Sequence, residues 1–316
     1  MNYNQLTSPE RYAISALRKE GLGPRAIARR LGRHPSTIYR EYARNTKRDG
    51  SYRAQYAISR ASGRRTRSRM ISHFSWDDFA LVEQYLRKRW SPQQISGFLA
   101  RDGTLFISYE TIYKYVWWDK LVGGELYTCL RGAQKKRWKR YRSRDSRGIL
   151  PGKRHITERP DVVDARSRVG DWEVDTVMGS GDKHCILTMV DRRSGYTLIG
   201  KLRNRRKEAA NAAMLRMVRM QAEKFATITA DNGTEFHGYI DVEDSTGVPF
   251  YFATPYHSWE RGTNENTNGL IRQYLPKGQS MADLTQRRCN WIAKQLNERP
   301  RKRHEFKSPK EIYESA

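Results

Sequence analysis

Near residue 160 the hydrophobic pattern of this chain changes its period, and that switch limits what the chain can fold into. Before it, apolar residues recur at helical spacing between tight breaks. After it, short alternating runs separated by Gly and Ser read as strands. A chain of 316 residues with such a change predicts helical modules followed by an α/β core, not one uniform core.

The N-terminal part begins with Thr7-Ser8-Pro9-Glu10, a capping-box pattern. The helix it opens carries Tyr12, Ala13, Ala16 and Leu17 at helical spacing until Gly21 and Gly23 break it. Pro24 starts a second helix with Ile27, Ala28 and Leu31 on its buried face, and Gly32 ends it. The turn Gly32-Arg33-His34 leads into Pro35-Ser36-Thr37-Ile38-Tyr39-Arg40, a short helix with small polar residues at its start. This is a helix-turn-helix pattern, and Arg33, Ser36, Thr37 and Arg40 are its expected DNA contacts. Ordinary three-helix packing is the plainer reading, and the local charge favours DNA.

A related pattern recurs at Ser91-Pro92-Gln93-Gln94-Ile95-Ser96 and Tyr109-Glu110-Thr111-Ile112-Tyr113-Lys114, where Thr111 to Lys114 echoes Thr37 to Arg40. This second module suits either DNA binding or dimerisation.

Sixty Lys and Arg against 34 acids give a formal charge of +26, so the expected close partner is a polyanion. Nucleic acid leads, because each neutralised phosphate releases counterion. Basic runs at Arg60 to Arg69 and Lys135 to Arg147 read as solvated linkers; Trp138 and Tyr141 within the second would suit contact with a DNA backbone. The expected division is therefore a helix-turn-helix domain over 1–55, a basic linker over 56–75, a second helical module over 76–130, a basic linker over 131–160 and a catalytic domain over 161–316. Cys129, Cys185 and Cys289 stand too far apart for a zinc site or disulfide framework. The polar start and the lack of a long apolar run predict a cytoplasmic protein with no membrane partner.

Within the last segment, Asp171 to Val177, His184 to Val190 and Tyr196 to Leu202 read as three hairpin-connected strands. Lys207 to Lys224 is helical by its Ala and Met spacing, Phe225 to Ala230 is a fourth strand, and Val248 to Ala253 a fifth, which Pro249 puts at a sheet edge. Helices begin near Trp259 and Asp283. The sum is an α/β domain with a mixed central sheet.

Asp175 lies inside the first of these strands and Asp231 directly after the fourth. Neighbouring strands would bring the two carboxylates face to face, an arrangement that a divalent cation relieves. Glu265 is the candidate third acid, on a helix where it shares a face with Asn268 and with Arg272, which could meet a phosphate. Taken singly, each acid is as readily a salt bridge or a cap. Asp171, Glu173, Glu235 and Glu260 compete with them, and strand parity does not separate Asp171 or Glu173 from Asp175. Asp191 reads as an ordinary ion pair with Arg192 or Arg193, and His257 and Trp259 as packing at a helix start.

Three segments carry a resemblance: Trp172-Glu173-Val174-Asp175, Thr229 to Phe236, and Arg261 to Arg272. They resemble the catalytic blocks of bacterial insertion-sequence transposases of the IS-thirty family, within the DDE transposase and retroviral integrase superfamily. The 33 residues between Asp231 and Glu265 match that family's spacing. Tyr39-Arg40-Glu41, Trp90 to Ile95 and Leu296 to Lys302 are similar to further family blocks. Val174 and Thr176 depart from it, standing where the family usually has Gly and Leu.

The resemblance implies a ribonuclease-H-like core and makes Asp175, Asp231 and Glu265 the ligands of Mg²⁺ or Mn²⁺, two ions in all. Asn232 and Asn268 would support those ligands, and Arg272 would match a basic residue near the DNA end. The implied partners are the element's terminal inverted repeats, target DNA and further copies of the chain. The implied activity is phosphodiester hydrolysis followed by strand transfer, by way of a circular or end-joined intermediate. An inactive helix-turn-helix regulator and a nuclease that cuts without joining are the alternatives.

Overall fold

The computed structural model describes residues 5–70, 74–132, 152–181, 183–255 and 257–316, with the side chains of 66–70, 258 and 259 left aside. The chain divides into two units, Met1–Trp76 and Asp77–Ala316.

The first unit is built from α1 (Ser8–Lys19), α2 (Pro24–Arg30), α3 (Pro35–Asn45) and α4 (Ala54–Met70). Thr7 and Glu10 form a reciprocal capping box at the start of α1, satisfying backbone donors that the first turn leaves open. Ile14, Leu17, Ile27, Ala28, Ile38 and Ala57 make its core. The buried face of α1 is therefore Arg11, Ile14 and Leu17, and Tyr12 is exposed, a rotation from the expected Tyr12, Ala13, Ala16 and Leu17. Arg11 tolerates burial because its Nε donates to Glu41 Oε1 at 2.8 Å, to which Tyr52 also donates.

The expected linker over 56–75 is corrected for most of its length: its residues up to Met70 belong to α4. Ala54 and Ala57 are buried, and Arg64 donates to Asn45, so one face of this basic segment is packed instead of solvated. The second basic run, Lys135–Arg147, lies outside the described residues.

The second unit opens with α5 (Trp76–Arg87), α6 (Pro92–Asp102) and α7 (Tyr109–Leu121). Ser91 and Gln94 form the capping box of α6, and Ser108 caps α7. Of these, α6 seats on the chain's C-terminal segment: Phe306 lies so close to Gly97 that a Cβ there would stand 2.3 Å from its ring. Arg101 donates to Phe306 O at 3.0 Å and pairs with Glu311 at 2.9 Å.

The short helix α8 (Asp161–Asp164) precedes β1 (Asp171–Met178), β2 (Cys185–Asp191) and β3 (Thr197–Leu202), which pair antiparallel. Then come α9 (Lys207–Met220), β4 (Thr227–Ala230), α10 (Tyr239–Thr246) and β5 (Phe250–Phe252). The sheet order β3-β2-β1-β4-β5 is mixed, with β4 parallel to both β1 and β5. This is the ribonuclease-H-like arrangement expected, with β5 at the edge, where the missing N–H of Pro249 breaks no ladder.

The final helices are α11 (Gly262–Ile271), α12 (Gln286–Asn297) and α13 (Pro309–Glu314). Alternation along β1 divides the core. Trp172 and Val174 pack with Met214, Phe236 and Tyr313 on one face, while Val177 packs with Leu270, Ile271, Ile292 and Leu296 on the other. Glu173 and Asp175, with the parity of Val177, therefore face α11.

Candidate active site

The β1–β4 register sets the site. Trp172 lies opposite Ile228 and Glu173 opposite Thr229, so two residues further on Asp231 comes level with Asp175. Both carboxylates are about four-fifths covered, with side-chain exposures of 21% and 22%.

A cation already stands between them. Arg261, at the start of α11, lies 3.0 Å from Asp231 Oδ2 and 3.9 Å from Asp175 Oδ1, and it also donates to Val174 O at 3.0 Å. Asp175 is held in addition by the Thr176 N–H at 2.9 Å and by Asn268 Nδ2 at 2.8 Å. Burial pushes the Asp175 carboxyl above its ordinary range and the neighbouring Asp231 adds to this, while Arg261 opposes it.

Glu265 is exposed on α11, one helical turn from both Arg261 and Asn268 and on their side of the helix. Among the described residues, no three His, Cys, Asp or Glu side chains are gathered tightly enough to hold a metal ion. The structure thus brings Asp175 and Asp231 together through Arg261 and leaves Glu265 at the rim.

The competing acids have other work. Asp171 pairs with Arg168 and accepts from Thr227. Glu173, with no exposed side chain, pairs with Arg192 at 3.0 Å and accepts from the Asn264 N–H at 3.0 Å. Glu260 accepts from the Thr254 N–H and contacts His257. Glu235 Oε1 accepts from Thr176 and Arg205, whereas its buried Oε2 has no hydrogen-bond partner among the described residues.

Some expected roles are redirected. Asp191 is not an ion pair with Arg192 or Arg193; it accepts from Ser194 and from the Gly170 N–H, bracing the β2–β3 turn, while Arg192 goes to Glu173 and Asp164. Asn232 donates to Ala253 O at 2.7 Å and accepts from Lys153, so it ties the ends of β4 and β5 instead of touching a carboxylate. Arg272 donates to Met178 O at 2.9 Å and to Leu275 O, which leaves it tied to backbone at the end of β1. The side chain of Trp259 lies outside the described residues.

In the first unit, Thr37 and Arg40 line a cleft of about 270 Å³ together with Arg44, Arg64 and Arg65. Ser36 meets the His34 ring at 2.8 Å, at the start of α3. Arg33 points elsewhere: its guanidinium pairs with Glu10 at 2.7 Å.

Sequence reasoning passed over Arg261. The signal was available, since Arg261 lies four residues before Glu265 and so repeats the spacing that groups Glu265, Asn268 and Arg272.

Oxygen donors on two adjacent strands, with a place between them already occupied by positive charge, have the chemistry that suits a hard divalent cation. Comparison with known proteins agrees in outline. Residues 2–45 match the helix-turn-helix domain family and residues 166–258 the integrase core domain family. The transposase for insertion sequence element IS4351 of Bacteroides fragilis is 40% identical over 311 residues, 98% of this chain and 95% of that one. The transposase InsI for insertion sequence element IS30A of Escherichia coli is 40% identical over 321 residues, 98% of this chain and 83% of that one. Among solved structures, the catalytic core domain of BIV integrase aligns with 47% of this chain and 95% of its own, at 16% identity and a TM-score of 0.38.

Proposed function

Because the chain belongs to the family of insertion-sequence transposases, we propose that it binds the terminal inverted repeats of its element, cuts the DNA there and joins the freed ends to another strand. It is a DNA transposase with an N-terminal helix-turn-helix domain and an integrase core. The observation that carries the finer reading is the level placement of Asp175 and Asp231 on parallel neighbours, both bound to one cation.

Asp175, Asp231 and Glu265 would hold the metal, in our reading two Mg²⁺ or Mn²⁺ ions. When bound, such ions stabilise the attacking and leaving oxygens of an in-line phosphoryl displacement. The side chains do the positioning. Asn268 fixes the orientation of the Asp175 carboxylate, and the Thr176 N–H holds its other oxygen. Arg261 neutralises the paired aspartates until Asp231 is required elsewhere, and its hydrogen bond to Val174 O keeps it at the site.

Hydrolysis by water would expose a 3′-hydroxyl, and that hydroxyl would then attack a second strand, with no covalent enzyme intermediate. The first unit would recognise the repeats, with Thr37 and Arg40 on its basic cleft as the contacts favoured by position. Acting on two ends together calls for at least two copies of the chain.

The test is an assay with labelled repeat ends, Mg²⁺ and the full chain. Cutting and joining support the proposal. Cutting alone points to a nuclease, and binding alone to a regulator.

A further inference from the structure

Two sequence blocks given no role in catalysis meet in the second unit. Gln94, at the start of α6, donates to Pro300 O at 2.8 Å and accepts from Arg299 Nε at 2.8 Å. Where they meet, a cleft of about 390 Å³ opens between α6, α11 and the segment after α12. Among the described residues its lining holds Arg131, Arg166, Arg299, Arg301, Lys302 and Arg303, and no carboxylate.

Of these cations only Arg299 is fully withdrawn from water, and a buried guanidinium ordinarily needs a carboxylate; the others leave their charge open to an incoming anion. Here the hydrogen bonds seen among the described residues go to neutral acceptors. Arg299, 2% exposed, donates to Gln94 and Gln273. Arg301 donates to Leu296 O, Arg131 to Asn266 and Arg303 to Arg193 O. Burial first, and then the neighbouring arginines, push Arg301 down to about 9; burial pushes Arg299 down to about 10. The backbone also makes room for this charge. A Cβ on Gly269 would stand 2.5 Å from Arg131, and one on Gly195 would stand 2.8 Å from Arg303.

The residues of α11 that line the cleft are Gly262, Thr263, Asn266, Thr267 and Leu270; Gly262 stands one turn before Glu265, so the cleft borders the side of the helix that carries the exposed acid.

We propose that this cleft is a second DNA site of the catalytic unit, in which phosphates of the duplex backbone meet the exposed cations Arg131, Lys302 and Arg303, whose charge exceeds what the nearby Glu173 and Asp191 offset. The choice of DNA rests on the transposase reading; the need for an anion rests on the cleft alone. Backbone contacts of this kind fix register and orientation without reading sequence. The second helical module then contributes to DNA binding through the start of α6, whose Ser91, Gln93 and Gln94 form one wall.

The test uses the full chain and three exposed cations of the cleft, Arg131→Ala, Lys302→Ala and Arg303→Ala together. The comparison protein carries Arg216→Ala, Arg219→Ala and Lys294→Ala, three exposed cations on α9 and α12. Binding to a 30-base-pair duplex lacking the repeat sequence is read by fluorescence anisotropy across a salt series. The cleft variant should bind about tenfold or more weakly at low salt, with the salt slope reduced by roughly one per lost phosphate contact, and the comparison protein should change much less. Equal changes in the two proteins overturn the proposal. Should the triple variant lose its fold, Lys302→Glu alone is read in the same way.

A second arm compares the thermal shifts that inorganic phosphate and chloride produce at equal ionic strength. If the cleft substitutions abolish a phosphate shift but leave duplex binding intact, the cleft is a small-anion site and the DNA proposal is wrong. Cutting of repeat ends is measured in parallel on the unsubstituted chain. Failure to cut there contradicts the transposition chemistry, while an unchanged salt slope in the cleft variant contradicts the cleft.

Discussion

Arg261 stands 3.0 Å from Asp231, supplying from the protein itself the positive charge that two level aspartates require. Replacing it by Gln leaves Asp175 and Asp231 facing each other without that charge. The metal-free chain should lose about 2 kcal/mol of stability, the range of a hydrogen bond to a charged group. It should also gain more in melting temperature from millimolar Mg²⁺ than the unsubstituted chain does. Thermal unfolding with and without Mg²⁺ checks both; an equal Mg²⁺ gain in the two proteins contradicts the role given to Arg261.

Asn268 donates to Asp175 Oδ2 at 2.8 Å from the neighbouring helix. Asn268→Ala should slow single-turnover cleavage by about 10- to 100-fold, as loss of a partner that orients a metal ligand does. The melting temperature should hardly move. A large loss of stability with cleavage intact would make Asn268 a packing residue instead.

Glu173 lies on the same face of β1 as Asp175 but is fully buried against Arg192 and the Asn264 N–H. Glu173→Gln should cost roughly 3 kcal/mol in chemical denaturation, because it leaves the buried Arg192 guanidinium with only the exposed Asp164 as counter-charge. Stability unchanged, with cleavage abolished, would move Glu173 into the catalytic set.

The Glu10–Arg33 pair makes the first unit sensitive to acid. The Arg33 guanidinium pulls Glu10 down from 4.5 to about 2, so this pair's contribution is complete above pH 4.5 and is lost as pH falls toward 2. Glu10→Gln should therefore lower stability by about 1 kcal/mol or less near neutrality, the pair being partly exposed, and by nothing near pH 2. Unfolding curves of the two proteins that stay equally far apart down to pH 2 would exclude this pair as the cause.

Much of the fold was legible because period and punctuation agree. The first strand follows from alternation and the other four from short runs between breaks, and Pro249 marks the edge strand because a missing N–H is tolerated there. The rotation of α1 was not legible, since Arg11 becomes a buried residue only when Glu41, 30 positions away, is brought to it. The same limit applies to the arginines after α12: spacing shows a basic segment, and only tertiary contact shows that Arg299 is buried against Gln94. At the site, parity put Asp171, Glu173 and Asp175 on one face. Their separate tasks depend on Arg168, Arg192 and Asn268, which sequence order does not rank.

The choice of acids is tested most directly by single-turnover cleavage and joining of labelled repeat ends in Mg²⁺, using Asp175→Asn, Asp231→Asn, Glu265→Gln and Glu235→Gln, each checked for unchanged unfolding. The first three should each abolish both steps, and Glu235→Gln should leave cutting and joining in place. Full activity in Glu265→Gln together with loss of activity in a folded Glu235→Gln would contradict the assignment, and would put the buried Oε2 of Glu235, which has no hydrogen-bond partner among the described residues, where Glu265 has been placed.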